Sequence, residues 1–273
     1  MRRTISVRLV SAFAALVRLP NALMAAAGVI LGAWWVGGGI SGSVFAAAFA
    51  AMALTAAANA WNDAADIEID RIAHPERPLP SGQLSRSTAN TFASCSAVIA
   101  VVFSLIAQPY LAVFSLILLV PVRFYSPHIK RLGLPGNLTV ALIASLPFVY
   151  GAWAAGRPRA GLVLLAIAAP LHLARELAKD LDDVTGDAGV RRTLPVRIGA
   201  RGTRVMLVMA VLVFGATIVP LGLSVPLLAA ALAPTFLLCA FAIRRALLGR
   251  EGSPRLLKAA MLCAMVAFVV AKV

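Results

Sequence analysis

Long apolar runs, broken by short polar junctions, set the pattern of this chain. They fall at about 20–37, 44–61, 88–107, 110–127, 136–154, 161–178, 203–221, 225–243 and 256–272. Each approaches the roughly 20 residues that an α-helix needs to cross a bilayer. Glycine and proline mark the breaks: Gly37-Gly38-Gly39, Pro109, Pro135-Gly136, Gly156 with Pro158, and Gly222. The pattern predicts an all-α membrane protein of nine transmembrane helices, folded as a single domain over 1–273. Arg2, Arg3 and Arg8 precede the first run without a small-residue cleavage site, which predicts an uncleaved cytoplasmic tail.

Composition agrees. The 273 residues are 61% hydrophobic and 13% charged, about half the charge of an ordinary soluble domain. That excludes a disordered chain, a collagen-like fibre and a disulfide-stapled secreted module. Cys95, Cys239 and Cys263 stand singly in apolar runs and read as inert packing residues. The net charge of +14 does not imply nucleic acid, because no aromatic–basic interleaving accompanies it. The cations flank apolar runs, and anionic lipid and anionic substrate are the better partners. With nine spans, 22 of the 25 Lys and Arg residues lie on the N-terminal side, and only Arg157, Arg159 and Lys272 on the other. The positive-inside rule then predicts an integral protein of the cell membrane with a cytoplasmic N-terminus and site loops, and the C-terminus opposite.

The carboxylates are distributed in a way that this rule does not explain. All 11 fall on the cytoplasmic side, ten of them in two clusters. The first reads Asn59-Ala-Trp-Asn62-Asp63-Ala-Ala-Asp66-Ile-Glu-Ile-Asp70-Arg71. In a continuing helix Asp63, Asp66 and Asp70 share one face, extended by Asn59 and Asn62. The second, Arg175-Glu176-Leu-Ala-Lys179-Asp180-Leu-Asp182-Asp183-Val-Thr-Gly-Asp187, repeats the spacing at Asp180, Asp183 and Asp187. Like charges stacked on one face repel. A hard dication reverses that balance, and Mg²⁺ favours carboxylate oxygens shared with substrate phosphates. The six aspartates are therefore candidate metal ligands. The competing structural reading is a pair of solvated helix ends held by local charge pairs around Glu176 and Lys179.

Each cluster is followed by Arg-x-Leu-Pro and a nearby glycine, at Arg77 to Gly82 and at Arg192 to Gly199, a weak sign of internal duplication. Arg77, Arg192 and Lys130 are candidate phosphate contacts, with Lys130 in the loop Tyr125-Ser-Pro-His128-Ile-Lys130-Arg131. Arg18 and Asn21, before and within the first span, and Lys179 of the second motif are expected to face the same substrate site. His128 and His172 read as hydrogen-bonded structural residues, His74 as solvent-exposed, and Trp34-Trp35 as part of an interfacial belt. Two acidic clusters, several cations and an apolar bundle suit ionisation of a lipid diphosphate, with the bundle excluding water from an allylic cation. The acceptor is not identified by these features.

At Asn62-Asp63-x-x-Asp66-x-x-x-Asp70, Arg77-Pro-Leu-Pro-Ser-Gly82, Tyr125 to Lys130 and Asp180-x-x-Asp183-x-x-x-Asp187, the sequence resembles the UbiA superfamily of intramembrane prenyltransferases. The resemblance implies nine helices around a central cavity, two Mg²⁺ ions and prenyl transfer from a diphosphate donor. It implies metal or diphosphate roles for Asn62, Asp66, Asp70, Asp183 and Asp187, with Arg77 and Lys130 as diphosphate contacts and Tyr125 beside them. Asp66, Asp70, Asp183, Asp187 and Lys130 are thereby the expected catalytic residues. The second motif and the following Thr193-Leu-Pro195 are most similar to the branch that alkylates geranylgeranylglyceryl phosphate in ether-lipid synthesis. His74-Pro-Glu departs from the asparagine that often precedes the Arg-Pro of the family. An aromatic or quinone-precursor acceptor is the alternative. A cation transporter is a remote one, because transporters place ionisable groups near the midplane, whereas here the spans are nearly clean.

Overall fold

The computed structural model describes residues 2–124, 128–183 and 193–272, with the side chains of 2–8, 73, 130 and 131 left aside. Twelve α-helices carry the described chain: α1 (Arg2–Val17), α2 (Leu19–Trp35), α3 (Gly42–Ala65), α4 (Ile67–Ala73), α5 (Arg86–Ala107), α6 (Pro109–Phe124), α7 (Leu134–Ala154), α8 (Pro158–Asp182), α9 (Leu194–Ser224), α10 (Pro226–Ala231), α11 (Ala233–Leu247) and α12 (Ser253–Val270). A 3₁₀ turn, Ile129–Leu132, precedes α7, and no strand occurs among the described residues. This is the outcome that hydrocarbon demands, since a helix satisfies its backbone polar groups internally. The punctuation works as written in the sequence. Ser41 and Ser85 accept hydrogen bonds from the first turns of α3 and α5, and proline opens α7, α8 and α9.

Seven of these helices are long and apolar enough to span a bilayer, counting Pro226–Leu247 as one, and an eighth is the bent pair Leu9–Val17 and Leu19–Trp35. The ninth expected span is the shorter apolar helix Pro109–Phe124, of 16 residues. Three expectations about boundaries change. The N-terminal tail is helical and meets α2 at a 50° bend. The seventh span begins at Leu194 and breaks at Gly199, whose φ of 79° interrupts the helix. The eighth is divided at Leu232. The exterior is apolar in the way a lipid-facing surface must be: Val98, Ile106, Val113, Ile117 and Leu223 all point outward.

Packing is closest where side chains are smallest. A Cβ on Gly151 of α7 would lie 1.8 Å from the Val29 carbonyl oxygen, and one on Gly32 of α2 would lie 2.2 Å from that of Phe148. Without a hydrophobic drive between helices in lipid, such backbone contact supplies the dispersion energy that joins them. Ser104, Ser115 and Tyr150 form a closed hydroxyl triad across α5, α6 and α7, with O–O distances of 2.5–2.9 Å. At the end opposite the acidic motifs, the Lys272 ammonium bonds the Trp34 and Trp35 carbonyls and lies 5.0 Å from the Trp34 ring centre, as an interfacial cluster would. The three cysteines are free thiols.

The α2–α7 contact gives a stability test. Gly151→Val forces a side chain into the Val29 backbone and is expected to destabilise the bundle by about 3 kcal/mol or more. Gly42→Ala, where nothing lies within 4 Å, is expected to be silent. Thermal unfolding of the detergent-solubilised variants measures both.

Candidate active site at the acidic rim

The first motif is built on a break. Helix α3 ends at Ala65, Asp66 sits at the joint with φ −97° and ψ 7°, and α4 resumes at Ile67. The backbone stays nearly helical across it: the Asp66 N–H donates to the Asn62 carbonyl and the Asp70 N–H to that of Asp66. Asp63, Asp66 and Asp70 thus turn inward together, each no more than 5% exposed. Buried carboxylates need cations, and two arrive from elsewhere in the chain. Arg77 Nη1 lies 2.7 Å from Asp70 Oδ2, and Arg18 Nη2 lies 2.5 Å from Asp63 Oδ1.

Local packing delivers both arginines. Leu79 and Leu84 of the loop after α4 bury against Ala12 and Leu16 of α1, Ala60 and Ala64 of α3, and α5. The turn closes through Gly82 at φ 76°, which leaves Arg77 facing Asp70. Arg18 is the one non-glycine residue with positive φ among the described residues, at 52°. It occupies the α1–α2 bend, where its guanidinium also donates to Asn59 Oδ1, while Asn59 Nδ2 donates to the Val17 carbonyl. Left-handed backbone at a non-glycine residue is uncommon, and the Asp63 and Asn59 contacts hold it in place.

The second motif sits at the end of α8. Asp180 Oδ2 accepts a 2.9 Å bond from Asn137 Nδ2 of α7, and Asp182 Oδ2 accepts one from the Gly252 N–H at the start of α12. Asp183 closes the helix and is exposed. Glu176, 6% exposed, bonds Arg175 through one oxygen and Lys179 through the other, each at 2.8 Å. Local charge pairing is therefore present at Glu176 and includes Lys179, which was expected to bind substrate. Asn21, also expected there, instead accepts a 2.6 Å bond from Lys258 of α12. Tyr125, Asp187, Arg192 and the Lys130 side chain lie outside the described residues. His172 lies near Arg175 and Glu176. His74 is partly exposed and faces Glu76 at 3.7 Å.

The donors suit a hard cation: they are carboxylate and carboxamide oxygens throughout. Among the described residues no three His, Cys, Asp or Glu side chains converge into a ready-made metal cage. Magnesium seldom uses one. It takes one or two carboxylates and completes its shell with water and substrate phosphate. The residues fit an ion that arrives with a diphosphate. Asn137 and Lys258 were missed by sequence reasoning, and the signal available for both was a polar residue inside an apolar run.

An apolar, lipid-facing bundle with an ionised, oxygen-rich rim at one end defines an integral membrane protein built to handle a charged group beside a greasy one. The chain belongs to the UbiA prenyltransferase family, whose model matches residues 9–269. The digeranylgeranylglyceryl phosphate synthase of Halobacterium salinarum is 36% identical over 271 residues, covering 94% of this chain and 95% of that protein. The fold matches a UbiA homologue from Aeropyrum pernix with TM-score 0.81 at 20% identity, covering 93% of this chain and 98% of that one. It also matches a UbiA homologue from Archaeoglobus fulgidus, bound to GPP and Mg²⁺, with TM-score 0.67 at 15% identity and coverage of 96% and 98%.

The Arg18–Asp63 pair makes a prediction of its own. With Asp63 4% exposed and Arg18 32% exposed at the side chain, Arg18→Met strands a buried carboxylate. It is expected to cost about 2 kcal/mol, below the range for fully buried pairs because Arg18 is partly solvated. Arg18→Met with Asp63→Asn is expected to recover part of that loss in the same unfolding measurement.

Proposed function

We propose that this protein transfers a geranylgeranyl group from its diphosphate to the glycerol hydroxyl of geranylgeranylglyceryl phosphate, with Mg²⁺ as cofactor. The observation that carries the proposal is the buried Asp66–Asp70 pair at the α3–α4 break with Arg77 fixed against Asp70, in a chain alike over its length to the H. salinarum synthase. The reading takes the chain as one domain of nine spans, Pro109–Phe124 among them, around a central cavity. Its N-terminus and acidic rim are cytoplasmic, in the cell membrane, and its C-terminus lies opposite.

Asn62, Asp66 and Asp70 from one motif, and Asp180, Asp183 and Asp187 from the other, would hold the metal ions. Magnesium, when bound, neutralises the charge that grows on the diphosphate as its C–O bond breaks. Arg77, Lys130 and Arg192 bind the remaining phosphate oxygens, with Tyr125 beside them. Asp63 is assigned instead to anchoring Arg18, whose guanidinium borders the same rim. The apolar helices take up the prenyl chain and keep water from the allylic cation. The glycerol oxygen then forms the ether bond, its proton leaves to the aqueous rim, and diphosphate departs.

Membranes containing the protein, given radiolabelled geranylgeranyl diphosphate and Mg²⁺, are expected to label geranylgeranylglyceryl phosphate and to stop with EDTA. Label on 4-hydroxybenzoate or homogentisate, offered in parallel, would keep the chemistry and replace the acceptor. Asp66→Ala and Asp183→Ala are each expected to lower turnover by about a hundredfold or more in protein that stays folded in detergent. Wild-type turnover in either contradicts the two-motif site.

A further inference from the structure

The rim chemistry leaves one group of cations without a task. Lys258 of α12 reaches across to Asn21 of α2, bonding Oδ1 at 2.6 Å, and its neighbour Leu257 shares a buried apolar cluster with Ala174 and Ala178 of α8, which brings the ammonium within the field of the Arg175 guanidinium. Arg175 and Lys179 share the two oxygens of Glu176. Three half-buried cations therefore gather at the junction of α2, α8 and α12, Arg175 and Lys179 on Glu176 and Lys258 on Asn21. Like charges held together beside a low-dielectric bundle repel, and a bound anion would relieve that repulsion. Nor are the donors used up. An ammonium offers three N–H groups and a guanidinium five, whereas Lys258 spends one on Asn21 and Arg175 one on Glu176.

A phosphate monoester carries between about 1.5 and 2 negative charges at neutral pH and accepts several charge-assisted hydrogen bonds. It suits a cluster of cations with spare donors, and unlike a diphosphate it needs no cluster of carboxylates to hold a metal. The placement also suits a second substrate. Asn21 follows the Asp63 partner Arg18 by one turn of α2, and Arg175 and Lys179 precede Asp183 on α8. The cluster thus borders both acidic motifs without belonging to either.

We propose that Lys258, Arg175 and Lys179, oriented by Asn21 and Glu176, form a separate anion subsite that binds the phosphate of the acceptor lipid. This inference rests on the reading of the acceptor as a glyceryl phosphate lipid. It makes Lys258 a specificity residue, setting phosphorylated acceptors apart from aromatic acids, which carry a single negative charge.

The test is binding of radiolabelled geranylgeranylglyceryl phosphate to the purified full chain in detergent, with EDTA and no donor. The wild type is expected to bind it and to prefer it over geranylgeranylglycerol, which lacks the phosphate. Lys258→Gln is expected to weaken binding by about tenfold or more, while Lys258→Arg stays within a few-fold. Binding of labelled geranylgeranyl diphosphate with Mg²⁺ is expected to be unchanged in both variants, which also reports that they fold. Unchanged acceptor binding in Lys258→Gln overturns the subsite, as does an equal loss of donor binding, which would place these cations in the diphosphate site. A wild type that binds the phosphate lipid through Lys258 yet transfers nothing to it supports the subsite and overturns the acceptor assignment instead.

Discussion

Charge is expensive in hydrocarbon, and a carboxylate placed there must be paired or moved to an edge. The described carboxylates gather on one side of the bundle, and three of the buried ones meet cations: Asp63 with Arg18, Asp70 with Arg77, Glu176 with Arg175 and Lys179. Those pairings dictate much else. Arg18 accepts a left-handed backbone to reach Asp63, and in doing so sets the bend between α1 and α2. Arg77 reaches Asp70 because Leu79 and Leu84 pin its loop into the groove between α1, α3 and α5. The rim is thus a set of charges drawn from distant parts of the sequence and held against an apolar scaffold.

That scaffold is rigid for a different reason. In lipid, helices gain little from burying apolar area and depend on close contact. Gly32 and Gly151 let α2 and α7 approach until backbone meets backbone. The position of α2 matters to function, because it begins at Arg18 and carries Asn21. One helix therefore links the first motif, through Asp63, to the cations of α8 and α12. A bundle that slid along the α2–α7 seam would move both acidic motifs relative to each other.

Much of this was legible in the sequence, because a bilayer simplifies the problem. Runs of apolar residues had to be helices, and the nine expected segments all fall on helices, although length and composition qualify seven or eight of them as spans. The two acidic motifs stood out because carboxylates are otherwise scarce. The remainder turned on tertiary partners, which spacing along one helix cannot supply. Stacking on one face placed Asp63 with Asp66 and Asp70, but gave no sign that Arg18, 45 residues away, would claim it. Asn137 is a lone polar residue early in the apolar run 136–154, and nothing along that run points to its bond with Asp180. Lys258 read as an ordinary positive-inside charge, since its partner Asn21 lies 237 residues distant.

The central claim is that the two acidic motifs act together on one Mg²⁺–diphosphate group. Its most direct test is equilibrium binding of a labelled prenyl diphosphate, with and without Mg²⁺, to the wild type, Asp66→Asn, Asp183→Asn and the double variant. If the motifs form one site, each single substitution removes most of the Mg²⁺-dependent affinity and the double is scarcely worse, the non-additivity expected of coupled residues. Independent losses that multiply in the double variant, or a single variant with wild-type affinity, would contradict it.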